Sequence, residues 1–296
     1  MKQLILIADM EGASGIFEGC HKWLWNGHDD WRKYGRDCIT SDVLAVCSAA
    51  IDFGIDDILL YDMHWAGNAE FNIIIEKLLP IVRVFDVPNR QTLWRRMRGQ
   101  AAQNPFGLIT LGQHARFTDD PITNYCTASA YFPHTIQSPP IKNFFLNDLH
   151  IAEIGTAVLS FRDVPYLANI GCQASMQEAR ELSESVIMVP VKDKAKGWEP
   201  SPAETYPLIY QGTMKALVRA REAKAVNIES PLGFSMELCD GFVLETDTKT
   251  SWKGSVGPKK AEWTAPCIEI GLELFNDVRA LIKREDDMNR GNQNVL

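Results

Sequence analysis

Two carboxylates stand directly after the first apolar run of the chain, in the stretch LILIADMEG. Asp9 and Glu11 are separated by a single residue, and neighbouring carboxylates repel each other and resist removal from water. Solvent at the end of a strand would satisfy them, and so would a bound cation. A bound cation is the hypothesis that would imply a functional site, because carboxylates are ligands for divalent metal ions.

Three further potential ligands follow later apolar runs. His64 comes after DILLYD, His114 comes after LITLGQ, and Glu153 lies just beyond an Asn147-Asp148 turn. In an open parallel sheet, ligands bind outside the carboxyl ends of the strands, so these side chains are expected at one edge. Carboxylates and imidazoles without a thiolate indicate a catalytic site for a pair of Zn²⁺ or similar divalent ions, with one carboxylate bridging.

The elements that must position these residues alternate in type through the first half of the chain. Strands are predicted at 3–8 and in DILLYD, FGLITLGQH and VPYLANIG. Between the first two strands, Thr40 or Ser41 can cap a helix that has Asp42 in its first turn and ends at Gly54. This alternation favours an α/β fold, a mostly parallel sheet flanked by helices.

The second half of the chain does not show this alternation of strands and helices. Antiparallel-looking strands occur in NIESPLGFSMEL and GFVLETDT, and an amphipathic helix is predicted from about residue 265 to 284. We therefore expect a metal-binding catalytic α/β domain over 1–185 and a second, smaller α+β domain over 186–296.

Composition excludes several partners. The 296 residues carry a net charge of −8, which disfavours nucleic acid as a partner. Asp9 interrupts the first apolar run too early for a signal peptide, and no run approaches the ~18–20 apolar residues that span a bilayer. Seven scattered cysteines without a C-x-x-C pair are typical of free thiols in a reducing cytoplasm. We therefore expect a cytoplasmic protein that binds neither nucleic acid nor membrane.

Four segments resemble, in order and at similar spacing, the D-aminopeptidase family of binuclear zinc metallopeptidases. They are ADMEGASG, YDMHWAGN, LGQHAR and FFLNDLHIAEIG. The resemblance implies two Zn²⁺ per chain, with Asp9 as the bridging ligand. The residues that would complete the two sites are Glu11, His64, His114 and Glu153.

The family also has an active-site histidine between the positions that His114 and Glu153 match. His134, in YFPHTIQSPP, is the candidate. The intervening segment is longer than the family pattern, and a different placement of the insertion would put Cys126 or Ser129 at this position. Because metal ions already supply a nucleophile from water, we expect His134 to stabilise the oxyanion or to protonate the leaving amine.

These observations predict a zinc aminopeptidase that hydrolyses the amide bond of N-terminal D-amino acids in short peptides or amides. One alternative is a metal-dependent amidohydrolase or deacylase for another amide, since Cys172 and Gln173 stand where the family tends to carry acids. Another is a non-catalytic binding protein of the same fold. The resemblance further implies a homo-oligomer, a ring-based decamer whose sites face an inner chamber.

Overall fold

The computed structural model describes residues 2–17, 20–64, 70–85, 93–116, 141–245 and 254–286. The helices of this part are α1 (Arg36–Phe53), α2 (Leu93–Gln100), α3 (Glu153–Leu159), α4 (Ser175–Leu182), α5 (Pro202–Val218) and α6 (Ile268–Ala280). Its strands are β1 (Gln3–Ala8), β2 (Asp57–Asp62), β3 (Val82–Phe85), β4 (Gly107–Leu111), β5 (Ile141–Leu146), β6 (Leu149–His150), β7 (Tyr166–Cys172), β8 (Ile187–Lys192), β9 (Leu232–Leu238), β10 (Phe242–Leu244), β11 (Gly254–Val256), β12 (Lys260–Ala265) and β13 (Ile282–Arg284). None of the helices in these ranges has the length and apolarity needed to cross a membrane.

Within the described ranges, six strands form a parallel sheet in the order β3-β2-β1-β4-β7-β8. The chain builds outward from β1 through β2 to β3, and then returns to add β4, β7 and β8 on the other side. The order therefore reverses between β1 and β4. Such a switch point opens a crevice at the carboxyl ends of the two strands, where ligands bind in open α/β sheets.

Both faces of this sheet are covered, which explains the uninterrupted apolar run of β1. Leu4 and Leu6 pack in one buried cluster, with residues of α1 and α5. Ile5 and Ile7 point to the opposite face and pack in a second cluster. Every residue of β1 is buried, so the strand that delivers Asp9 is fixed on both sides.

The remaining large sheet is antiparallel, in the order β11-β12-β9-β5-β6. Its aromatic residues Phe144, Phe234 and Trp263 stack on one another beneath α6. The predicted fold class, α/β with an additional α+β part, is confirmed. The division at residue 185 stays a prediction about domains, and the sheets interleave across it: β5 lies in the antiparallel sheet and β8 in the parallel one.

Helix α1 begins earlier than its sequence predicts. It starts at Arg36, continuing from a π-helical turn at Trp31–Gly35. The predicted caps Thr40 and Ser41 and the predicted first-turn acid Asp42 therefore lie inside the helix. The Thr40 hydroxyl accepts a hydrogen bond from the backbone N–H of Ile74, and the Asp42 carboxylate accepts one from the backbone N–H of Ser14. The side chains of Thr40 and Asp42 thus bind tertiary partners, whereas the predicted helix end is confirmed by the left-handed Gly54.

Candidate metal centre

The chain that leaves β1 is tied closely to the chain that leaves β4. The backbone N–H of Asp9 donates to the carbonyl of Leu111 at 2.8 Å, and that of Gly12 donates to Gly112 at 2.6 Å. Gly112 has φ +77°, and a Cβ there would lie 1.9 Å from the carbonyl oxygen of Asp9. Only glycine permits this approach, so the glycine of LGQH holds the two strand ends together.

Two groups of potential metal ligands meet at this crevice. Asp9, Glu11 and His64 form one group, and Asp9, His114 and Glu153 form the other, with the ligand atoms of each group within 4.8 Å of one another. Asp9 belongs to both groups, as a bridging carboxylate must. The structure therefore brings together all five side chains that the sequence nominated as metal ligands, while that role stays a prediction.

The ring of His64 is oriented from both sides. Its Nδ1 lies 2.9 Å from Asp9 Oδ1 and 2.9 Å from Glu11 Oε2, and its Nε2 lies 2.9 Å from the carbonyl oxygen of Leu24. Burial lowers the pKa of His64, but Glu11 and Asp9 outweigh it and raise that pKa well above its usual value. A proton on Nε2 donates to the carbonyl of Leu24, so a cation would bind at Nδ1 in place of the second proton. His64 is thus set to bind a cation through Nδ1.

The backbone at His64 is held by Asn72, which is buried, and its partner Asp62, which is partly buried. The side-chain amide of Asn72 donates to the carbonyl of His64 and, at 3.0 Å, to Asp62 Oδ1. The Asp62 carboxylate also accepts from the backbone N–H of Asn72 at 2.6 Å. Burial raises the pKa of Asp62, while the hydrogen bonds from Asn72 oppose this shift and satisfy both of its oxygens.

His114 and Glu153 complete the second group. The backbone N–H of His114 donates to Glu153 Oε2 at 3.0 Å, and His114 Nε2 lies 3.2 Å from Glu11 Oε1. The other ring nitrogen, Nδ1, is buried and finds no hydrogen-bond partner within the described part of the chain. An unpaired buried nitrogen within a ligand cluster is consistent with a site that a bound group completes.

The pKa values of Glu11 and Glu153 shift in opposite directions. Burial raises the pKa of Glu11, but His114 and His64 outweigh it and hold that pKa well below its usual value. Burial and the adjacent Asp9 push the pKa of Glu153 well above its usual value. Negative charge is therefore under-compensated near Asp9 and Glu153, and a bound cation would relieve it.

Other nominated residues fall outside the part of the chain that the structure describes. Residues 117–140, which include His134, Cys126 and Ser129, are among them. Cys172 is described and is fully buried beside Ala115, the neighbour of His114. Sequence reasoning did not identify the carbonyl of Leu24, because a backbone acceptor leaves no mark on side-chain patterns.

A family model described as D-aminopeptidase (peptidase family M55) matches residues 1–246. The chain belongs to the D-aminopeptidase family. The matched region contains every residue of the two ligand groups, so the predicted resemblance is confirmed.

A solved structure shares the fold of this D-aminopeptidase family member. It is described as the Zn-dependent D-aminopeptidase DppA from Bacillus subtilis, a self-compartmentalizing protease. The TM-score is 0.74 at 21% sequence identity, and the match covers 94% of this chain and 97% of that one. No curated protein matches the chain.

Proposed function

We propose that the protein is a zinc-dependent aminopeptidase that hydrolyses the amide bond of N-terminal D-amino acids in short peptides or amides. The observation that carries the proposal is the pair of ligand groups that share Asp9 at the switch point of the parallel sheet. Membership of the D-aminopeptidase family supports the reaction, and the Zn-dependence of DppA supports the metal.

The residues present fit two zinc ions. Each group offers one imidazole and two carboxylates, counting Asp9 in both. Zinc takes these ligands in catalytic sites, where three protein ligands leave a position for water or substrate. The raised pKa of Glu153 fits a cluster that binds a cation, and the buried His114 Nδ1, without a hydrogen-bond partner among the described residues, fits a site that a bound group completes.

When bound, such a metal pair supplies Lewis acidity toward the amide carbonyl and a nucleophile from water at neutral pH. Side chains of the protein would position the metal ions. Asp9 would hold the two ions together, and His64, locked by the carbonyl of Leu24, would present one fixed lone pair. Glu11 would supply a carboxylate oxygen to the same ion as His64. We assign His134 the stabilisation of the oxyanion or the protonation of the leaving amine.

Metal analysis and a substrate panel test the proposal together. We expect about two zinc ions per chain in the purified protein, loss of activity on chelation, and recovery when zinc is supplied. Among matched D-aminoacyl, L-aminoacyl and N-acyl amides, we expect the highest kcat/KM for the D-aminoacyl compounds. Absence of amide hydrolysis with zinc supplied would refute the enzyme and favour a binding protein of the same fold.

A second candidate is an amidohydrolase or deacylase that uses the same ligands on another amide. The observation in its favour is the end of β7, where Cys172 is buried beside Ala115 and Gln173 donates its backbone N–H to Lys192. Neither residue offers a carboxylate to a substrate amino group. Faster turnover of the N-acyl amides in the same panel would select this function.

We also propose that the protein is cytoplasmic and assembles into a ring-based homo-oligomer, a decamer in the form that the resemblance implies. The description of DppA as self-compartmentalizing supports assembly. Light scattering with size-exclusion chromatography tests it, and a mass equal to one 33.3 kDa chain would refute it.

A further inference from the structure

A buried lysine holds the loop that follows β1. Lys192, the last residue of β8, is only 3% exposed. Its Nζ donates to the carbonyl oxygens of Glu11 at 2.5 Å, Ile16 at 2.6 Å and Ala13 at 3.0 Å. These three bonds use all the donors of an ammonium group, so Lys192 acts on the backbone of this loop rather than on a substrate.

The same loop is fixed by two more side chains on its other flank. The backbone N–H of Ser14 donates to the carboxylate of Asp42 at 2.8 Å, and its hydroxyl accepts a hydrogen bond from Thr205 at 2.7 Å. The loop after β1 is therefore anchored from α1, β8 and α5 at once. Glu11 is the metal-ligand candidate whose own carbonyl takes part in this anchoring.

A buried glutamate serves the other ligand group in a comparable way. Glu178, on α4, is 1% exposed, and its Oε1 accepts the backbone N–H groups of Ala152 and Gly155 at 2.8 Å each. These residues flank Glu153 at the start of α3. The first N–H groups of a helix have no partner within the helix, so Glu178 caps α3 from a neighbouring helix and fixes the turn that presents Glu153.

We propose that Lys192 and Glu178 are positioning residues that each serve one of the two metal sites. Lys192 positions Glu11 for the site that Glu11 and His64 form with Asp9. Glu178 positions Glu153 for the site that His114 and Glu153 form with Asp9. The assignment rests on the proposed function, because it takes these groups to be metal sites.

The proposal has a specific consequence for metal binding. Neither Lys192 nor Glu178 belongs to the two ligand groups, so each substitution leaves all the ligand side chains in place. What it removes is the restraint on one backbone segment. Loss of groups that orient metal ligands typically lowers metal affinity roughly 10- to 100-fold, and here the loss is confined to one of the two sites.

Cobalt titration of the metal-stripped full-length protein tests this assignment, read by visible absorption and by competition with a chelator. Glu11→Gln and Glu153→Gln serve as references that assign each binding step to its site. We expect Lys192→Met to weaken the step that Glu11→Gln weakens, and Glu178→Ala to weaken the other, each roughly 10- to 100-fold. Each variant is the control for the other.

Conservative variants separate positioning from general damage to the fold. Glu178→Gln keeps an acceptor oxygen for both N–H groups and is expected to bind cobalt as the wild type does. Lys192→Gln keeps some of the N–H donors, so its cobalt affinity is expected to lie between those of the wild type and Lys192→Met. If the methionine variant does not fold, the affinity of Lys192→Gln tests the role of Lys192. Circular dichroism of the metal-free proteins establishes that each variant is folded.

The outcomes distinguish failure of the proposed metal centre from failure of the positioning roles of Lys192 and Glu178. A wild-type protein that binds fewer than two cobalt ions would refute the proposed metal centre itself. If the wild type binds two ions but both substitutions weaken both steps equally, or weaken neither, the metal centre stands and the positioning assignment is wrong. Loss of affinity in Glu178→Gln equal to that in Glu178→Ala would also overturn the role of Glu178.

Discussion

At the scale of single residues, shared geometry distinguishes the metal-ligand candidates. Asp9 is common to both groups, whereas Glu11 and Glu153 each belong to one. The buried carboxylates differ in their partners as well, since Glu11 faces two imidazoles and Glu153 faces Asp9. The consequences of substitution should therefore differ from residue to residue.

Asp9→Asn is expected to weaken both metal-binding steps, because an amide keeps the size of the side chain but loses the charge that would bridge two cations. The loss should exceed the roughly 10- to 100-fold that outer groups cost, and cobalt titration measures it. Glu11→Gln is the matched control and should weaken a single step. An Asp9→Asn protein that retained one step at full affinity would contradict a bridging role.

Asp42→Asn is expected to increase stability above neutral pH. Burial raises the pKa of Asp42 to about 7, so the folded protein holds this proton more tightly than the unfolded chain does. The resulting gain in the free energy of unfolding is complete below the ordinary pKa of 3.8 and is lost as the pH rises through about 7. The neutral amide removes that loss, which amounts to up to about 4 kcal/mol at pH 8.

Urea unfolding in the presence of a chelator at pH 5 and pH 8 measures this effect. The difference between variant and wild type should be larger at pH 8. Asn in place of the exposed Asp29 is the control and should leave the pH dependence unchanged. An Asp42→Asn protein with the wild-type pH dependence would show that Asp42 does not titrate in this range.

At the scale of elements, the geometry of the candidate metal centre depends on how closely β1 and β4 approach at their carboxyl ends. The backbone bonds from Asp9 to Leu111 and from Gly12 to Gly112 continue the parallel pairing beyond the strands. This contact places the segment that carries Asp9 and Glu11 beside the segment that carries His114. Two glycines without side chains thus determine the spacing of ligands that belong to different strands.

Gly112→Ala tests this contact. A left-handed non-glycine residue costs about 1–2 kcal/mol, and here a Cβ would also lie 1.9 Å from a carbonyl oxygen of Asp9, so the backbone must move. We expect both a loss of thermal stability and weaker metal binding. Gly54→Ala is the matched control, because Gly54 has φ +89° with nothing within 4 Å of the added Cβ, and it should lose stability alone. Equal metal binding in the two variants would contradict the proposed role of the close approach.

At the scale of the whole molecule, one apolar cluster joins the two sheets. It contains Ile5 and Ile7 of the parallel sheet together with Phe144, Phe234 and Trp263 of the antiparallel sheet. Separately folding domains would each have a core of their own. The shared cluster instead indicates that the two sheets stabilise each other.

We therefore expect the metal-free protein to unfold in a single cooperative transition. Far-UV circular dichroism and tryptophan fluorescence should give the same midpoint in urea. Replacing Phe144 by alanine should shift both midpoints together, at a cost of about 3–5 kcal/mol. Two resolved transitions, with only one of them shifted by Phe144→Ala, would indicate independent domains and support the division predicted near residue 185.

The sequence by itself determined the local features of this protein. Apolar runs identified β1, β2 and β4, because strands buried on both faces consist mostly of apolar residues. Ligand-type side chains directly after those runs identified Asp9, Glu11, His64 and His114, because parallel strands end at a common edge. Family resemblance then supplied a reaction for the cluster, and the family model confirmed the resemblance.

The tertiary structure decided which polar residues support that cluster. In the sequence, Lys192 and Glu178 are ordinary charged residues at a strand end and on a short helix, and Asp42 resembles a first-turn helix acid. Their partners lie 181, 26 and 28 residues away for the bonds to Glu11, Ala152 and Ser14. Local patterns report on neighbours within a few turns of chain, whereas burial of a charge depends on which distant segments fold over it. Residues proposed to position the candidate metal ligands therefore become visible only once the chain is folded.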